Sequence, residues 1–272
     1  MFDDPINTVG RAAAQAGAKV VAAYFADLAS AGITDKTADA KSEGLVTAAD
    51  VEAEKAIVEL IRSNFPNHSF LAEEAYSETI SAEHLWVIDP LDGTNNFAHG
   101  IPHFAVSVAY YHNGVAEYGI VIDVARGHVY ECGRGLGAWV DGKQVHVNQH
   151  DSLSQTMVGV GFYYDRGEMM QATLKSVGLL FAENIYGIRR FGTAALDLIH
   201  VGLGRFGAFF EYTLSPWDFA AGRLFVEEAG GTVTTCHGDE LPLDRSSVLA
   251  TNGRLHPAML KIVSQYLSLI HI

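Results

Sequence analysis

The chain has 272 residues, 49% of them hydrophobic, and its 32 acidic against 18 basic residues give a formal charge of −14. That length suits one large domain or two closely packed ones, with enough apolar side chains for a sizeable core. The acidic balance leaves no excess of cations to replace phosphate counterions, which excludes a general nucleic-acid or anionic-membrane surface, and the apolar runs are too short to span a bilayer.

From residue 5 to about 30, Ile6, Val9, Ala13, Val20, Tyr24 and Leu28 recur at helical spacing, with Asp3 or Asp4 placed to cap and Pro5 in the first turn. A polar connection over roughly 34–44 leads to a second helix at about 48–64, ended by Pro66. Ser69-Phe70-Leu71 reads as a short strand running into Glu73-Glu74, and Leu85-Trp86-Val87-Ile88 as another. Strands follow at 105–111, 115–123, 128–132 and 138–140. The breaks His112-Asn113-Gly114, Ala125-Arg126-Gly127 and Asp141-Gly142-Lys143 are hairpin chemistry, so this stretch is an antiparallel meander. From near Asp151 strand and helix patterns alternate: strand 157–161, helices 166–181 and 193–201, strand 206–212, helix 216–229 with Gly230-Gly231 as its cap, strands 232–235 and 248–251, and a last helix at 257–269. The expected class is α+β or layered α/β, with an N-terminal α+β half (1–150) and a C-terminal α/β half (151–272) packed as one body. Two cysteines, Cys132 and Cys236, have no paired spacing, and no basic leader precedes an apolar segment. A reduced, cytoplasmic setting is the expectation.

Chemistry concentrates at Asp89-Pro90-Leu91-Asp92-Gly93-Thr94. A strand ending in Asp-x-x-Asp aims two carboxylates at one point beyond its tip. Held that close they repel unless protonated or bridged by a cation, and an oxygen-only ligand set suits Mg2+. Gly93-Thr94 opens a helix, where free backbone N–H groups favour a phosphate. Glu73-Glu74 stands at a second strand end, within reach of the same ion. Asp218 falls in the first turn of a helix whose Ala220, Ala221 and Gly222 allow close approach to another element.

Glu73-Glu74, the run from Trp86 to Phe97 and Trp217-Asp218-Phe219-Ala220-Ala221-Gly222 resemble the three signatures of the inositol monophosphatase family, and the segment from Lys41 to Asp50 resembles a fourth, supporting region. The resemblance implies a Mg2+-dependent, lithium-sensitive phosphomonoesterase with a layered αβαβα sugar-phosphatase fold, hydrolysing inositol monophosphate by a metal-activated water. By the same resemblance Glu73, Asp89 and the Leu91 carbonyl hold a first Mg2+, and Asp89, Asp92 and Asp218 a second. Asp50 and Glu74 support an outer shell or a third ion. Glu73, Asp89 and Thr94 carry catalysis, Thr94 by orienting the attacking water. Asp92, Gly93, Thr94, Gly192, Thr193, Ala194, Glu211 and Asp218 bind substrate. Mn2+ is an expected substitute, Li+ an inhibitor and Ca2+ an inhibitory occupant. The partner is a small sugar or polyol phosphate, and a homodimer is expected. Fructose 1,6-bisphosphate and histidinol phosphate are alternative substrates on the same signatures, and a regulatory protein-binding role is an alternative of another class.

Other features carry less. Gly133-x-Gly135-x-Gly137 leads into a hairpin, not a helix, and so is no nucleotide loop. His99 and His103 read as loop packing near the acidic motif. Arg189-Arg190 is a solvated or helix-flanking pair, or else meets a second acidic group on the substrate.

Overall fold

The structure is a computed structural model that describes residues 2–32, 34–35, 45–76, 82–162 and 166–269. The resembling segment at 41–44 and residues 163–165 lie outside the described residues.

Helix α1 (Pro5–Ala26) is capped by Asp4, whose carboxylate accepts from the Asn7 N–H at 3.1 Å. Its buried stripe includes Gly10 and Gly17, and a Cβ at either would stand 2.7 Å from the Tyr118 ring or 2.6 Å from Ile57, so small residues bring the helix against its neighbours. The helix stops four residues before the expected end. Asp27, at φ −136°, leaves the helical region and only a short 3-10 turn, Leu28–Ser30, follows.

Strands β1 (Thr34–Asp35) and β2 (Leu45–Val46) form a small antiparallel ladder, and α2 (Ala48–Asn64) follows, capped by Thr47. The main sheet then assembles in chain order. Strand β3 (Ser69–Ala72) pairs parallel with β4 (His84–Asp92). After the single turn of α3 (Thr94–Ala98), β5 (Ala105–His112), β6 (Val115–Asp123), β7 (His128–Gly133), β8 (Gly137–Val140) and β9 (Lys143–Val145) continue as the meander.

The second sheet is mixed, with order β11-β10-β12-β14-β13. It is drawn from β10 (Met157–Val160), α4 (Glu168–Ala182), β11 (Gly187–Arg189), α5 (Ala194–Gly202), β12 (Ala208–Leu214), α6 (Pro216–Glu228), β13 (Thr232–Thr234), β14 (Ser246–Thr251) and α7 (His256–Val263). Two three-residue strands, β9 and β11, were not expected, and the final helix gives way to a 3-10 segment after Val263. Arg189 therefore ends a strand and does not flank a helix.

Among the described residues, four apolar cores separate five layers. The α1–α2 layer packs through Ile57, Trp86, Ile88 and Tyr118 on one face of the main sheet. The opposite face meets α5 and α6 through Leu85, Val87, Ala195 and Phe225. Those helices meet the second sheet through Leu198, Phe209, Phe219 and Val248, and its far face is covered by α4 and α7 through Phe210, Leu180 and Met259. This is the αβαβα order, with α5 and α6 shared between both sheets.

Candidate active site

β4 runs from His84 to Asp92 and so ends in the acidic motif, but the carboxylates leave from one face of the sheet and not beyond a tip. Asp89 pairs with Ser107 and Asp92 with Ala105, so three steps along β4 match two along β5. Residues three apart on a regular strand point to opposite faces. The extra residue of this bulge restores parity, and both carboxylates leave on the face of Leu85, Val87 and Ala105, toward α5 and α6. Asp89 Oδ1 accepts from the Leu91 N–H at 3.0 Å, and Asp92 Oδ2 from the Ala195 N–H at 2.7 Å, in the first turn of α5. Only one oxygen of each is held by these amides.

Two further elements bring acid to the same place. Ala72 of β3 is in register with Ile88, so Glu73 leaves β3 beside Asp89. Asp218 is the third residue of α6, and its Oδ2 accepts from the Ser215 N–H at 2.7 Å in a capping box. Burial pushes the Asp89 carboxyl well above the ordinary range, and Glu73, Asp92 and Asp218 raise it further. Asp92 is raised in the same way, by burial and then by Asp218, and Asp218 itself by burial. Buried carboxylates that raise one another in this way cannot all be ionised without cations. The donor set is oxygen only, and among the described residues Asp89 uses only Oδ1 for a hydrogen bond, so it fits a hard divalent ion. The cluster stands open: among the described residues, three ligand atoms come within 4.8 Å of one another at Glu83, His84 and His112 instead. Wider spacing is what like charges favour.

Asp50 and Thr94 form the wall beside this cluster. Asp50 is fully buried, and its Oδ2 accepts from the Thr47 N–H at 2.8 Å and the Thr47 hydroxyl at 2.6 Å. Its Oδ1 lies 3.0 Å from Thr94 Oγ1, which is also 3.0 Å from the Leu91 carbonyl oxygen. Burial raises Asp50, and Glu74 adds to that rise. Glu54 accepts from the backbone N–H groups of Glu74 and Ala75, both at 2.8 Å, and so fixes the loop that carries the Glu pair. Gly93 has φ +94°, and a Cβ there would lie 2.5 Å from Thr193 Oγ1, so only glycine makes the turn from β4 into α3.

The residues expected to line a substrate pocket come from the second half. Gly192 has φ +79° and leads to Thr193, whose hydroxyl donates to the His103 carbonyl at 3.1 Å. Asn96 Nδ2 donates to the His103 and Phe191 carbonyls, both at 2.8 Å, and so ties α3 to this loop. Thr193 and Asn96 thus build the wall. Ala194 is buried at the start of α5. Glu211 lies on β12 against Gly161, where a Cβ would collide with its carboxyl group. Burial, and then Asp218, push Glu211 up to about 8.

Asp197 was missed in the sequence. It is 1% exposed, its Oδ1 has no hydrogen-bond partner among the described residues, and burial followed by Glu211 raises it well above the ordinary range. Arg190 lowers both Asp197 and Glu211 by its charge and donates to the Phe162 carbonyl at 3.4 Å. The available signal was one acid inside the apolar run Ala194-Ala195-Leu196-Asp197-Leu198-Ile199. His103, expected to pack beside the acidic motif, is buried against Phe191.

A five-layer frame with a carboxylate cluster between its two sheets defines the layered sugar-phosphatase class of protein. Within that class the chain belongs to the inositol monophosphatase family, whose model matches residues 3–268. The putative Nus factor SuhB of Neisseria meningitidis serogroup B is 38% identical over 264 residues, covering 96% of this chain and 98% of that protein. The extragenic suppressor protein suhB of Bartonella henselae superposes with a TM-score of 0.89 at 31% identity, over 96% of this chain and 99% of that one. The inositol monophosphatase of Anabaena (Nostoc) sp. superposes with a TM-score of 0.82 at 35% identity, over 95% of each chain.

Proposed function

We propose that this chain is a Mg2+-dependent phosphomonoesterase that hydrolyses a small polyol phosphate, inositol monophosphate first among them. The observation that carries the reading is the convergence of Glu73, Asp89, Asp92 and Asp218 from three separate elements onto the bulged end of β4. Glu73, Asp89, Asp92, Asp218 and the Leu91 carbonyl would hold two ions, with Asp50 and Glu74 supporting them or a third. Mn2+ substitutes, while Li+ and Ca2+ inhibit. The bound ions supply charge neutralisation for the phosphoryl group and an acidified water.

The chain's own residues do the rest. Thr94 has acceptors for its hydroxyl proton at Asp50 and Leu91, so its oxygen lone pairs are left to accept a hydrogen bond from a water and aim it. Backbone N–H groups of Gly93 and Thr94, at the start of α3, hold phosphate oxygens. Glu211 and the Gly192–Ala194 segment face the alcohol part. A carboxyl with a raised pKa, as in Glu211, both donates to and accepts from hydroxyl groups, which favours a polyol. Arg190 beside Glu211 could pair with a second phosphate, which keeps fructose 1,6-bisphosphate as the alternative substrate. The working form is a homodimer in the cytoplasm.

The test is phosphate release with Mg2+ across inositol 1-phosphate, fructose 1,6-bisphosphate, histidinol phosphate and adenosine 3′,5′-bisphosphate. Turnover of the inositol ester above the others, abolished by Asp92→Asn, supports the reading. A second reading, a regulatory protein-binding role, is favoured by the relative named a putative Nus factor. It takes over where Mg2+ binds but no sugar phosphate is turned over.

A further inference from the structure

We propose that Glu83, His84 and His112 form a binding site for a borderline transition-metal dication, Zn2+ in particular, separate from the carboxylate centre. One ligand atom from each lies within 4.8 Å of the other two. Glu83 Oε1 is 3.8 Å from His84 Nε2 and 3.7 Å from His112 Nε2. The two histidines are directly opposite each other in the β4–β5 register, and paired positions on neighbouring strands hold their Cβ atoms about 5 Å apart. His84 opens β4, five residues before Asp89, so the site stands about 16 Å along the strand from the acidic motif.

The donors are prepared for a metal by their neighbours. His84 Nδ1 is 2.7 Å from the Tyr110 hydroxyl. With Nδ1–H donating to that oxygen, the lone pair falls on Nε2, the atom nearest Glu83; this is the outer hydrogen bond that metal-ligating histidines ordinarily make. The Asn113 amide nitrogen lies 3.2 Å from His112 Nε2 and donates to it, so a lone pair stands on that atom as well. His68 stacks on His84 with ring centroids 4.4 Å apart and an interplanar angle of 14°, which fixes the His84 ring.

Two imidazoles and one carboxylate match Zn2+ better than Mg2+, which takes oxygen and holds its waters. Tetrahedral bonds of about 2.0–2.1 Å put neighbouring donors about 3.3 Å apart. The observed 3.7 and 3.8 Å need to close by a few tenths of an ångström. His112 stacks on His84 at 4.9 Å and 10°, and a lone pair lies in the plane of its ring. Binding therefore turns His112 out of the stack and away from Asn113. Its side chain is 43% exposed and free to do so. A fourth position stays open to water.

The experiment titrates the full chain with Zn2+ against a chromophoric chelator, with Mg2+ in excess to occupy the carboxylate centre. Wild-type protein is expected to take up one Zn2+ more tightly than His112→Ala and Glu83→Gln, by about tenfold or more, and one equivalent is expected to shift the imidazole resonances of His84 and His112. Glu83 is exposed, so Glu83→Gln folds and keeps the test decisive beside the strand variant. Equal Zn2+ uptake by both variants and the wild type, or no uptake at tens of micromolar Zn2+, overturns the site.

Discussion

Asp92 accepts a 2.7 Å hydrogen bond from the backbone N–H of Ala195, across 103 positions of the chain. This bond joins the bulged end of β4 to the first turn of α5, where unpaired amides and the helix dipole favour a negative group. One residue therefore ties the main sheet to α5 and contributes to the acidic cluster.

The first prediction follows from that double duty. Asp92→Asn keeps an oxygen for the Ala195 N–H but removes a charge that Asp218, Asp197 and Glu73 oppose. Phosphate release is expected to fall by about two orders of magnitude or more. The chelated protein is expected to unfold at the same temperature or higher, because a buried repulsion is gone. Paired measurements of turnover and Tm check this; a large drop in Tm with retained turnover would reverse the assignment.

A second prediction concerns pH in the presence of chelator. Folded Glu211 keeps its proton up to about pH 8, whereas an unfolded glutamate loses it near 4.5. Between those values the folded chain binds more protons than the unfolded one, so its stability falls as pH rises. The stabilisation is whole below about pH 4.5 and lost on passing about 8. Asp89, Asp92 and Asp218 are raised too and act with the same sign. Unfolding curves from pH 5 to 8.5 are expected to flatten in Glu211→Gln and on addition of Mg2+, which stabilises the folded state by binding it.

Much of this arrangement was legible in the sequence, and the gaps have physical causes. The run Leu85-Trp86-Val87-Ile88 announced a strand, and the acids after it marked where the carboxylates of β4 gather with Glu73 and Asp218. The bulge that turns Asp89 and Asp92 to one face is set by pairing with Ser107 and Ala105 on another strand, and no local pattern encodes it. Glu54 falls inside the helix expected over 48–64 with no signal of its own, yet it holds the Glu74 and Ala75 amides. Asp197 was hidden because helical spacing marks where apolar residues go and says little about a single acid among them. Strands β9 and β11 are three residues each, too short for period-two alternation to register.

Gly161 offers a test of the pocket that spares every metal-facing carboxylate. A Cβ at this position would collide with the Glu211 carboxyl group, and its φ lies outside the left-handed region, so alanine fits the backbone. Gly161→Ala is expected to push Glu211 aside and raise KM for the inositol ester by about tenfold, with a smaller change in kcat. Steady-state kinetics check this. An unchanged KM would take Glu211 out of substrate recognition.

The last prediction separates orientation by Thr94 from packing by Thr94. Its hydroxyl is 3.0 Å from both Asp50 Oδ1 and the Leu91 carbonyl oxygen, and one proton serves those two acceptors. Thr94→Val keeps the shape and removes the oxygen, so Asp50 loses one of three hydrogen bonds and the water loses its acceptor. Thr94→Ser keeps the oxygen and removes a methyl group. If the oxygen aims the water, kcat for Thr94→Val is expected to drop by about 10²-fold or more, with KM nearly unchanged, while Thr94→Ser stays within about tenfold of wild type. If Thr94 served only to pack, both variants would lose activity in proportion to their loss of Tm. The ratio of kcat between the valine and serine variants, read beside their unfolding temperatures, decides between the two roles.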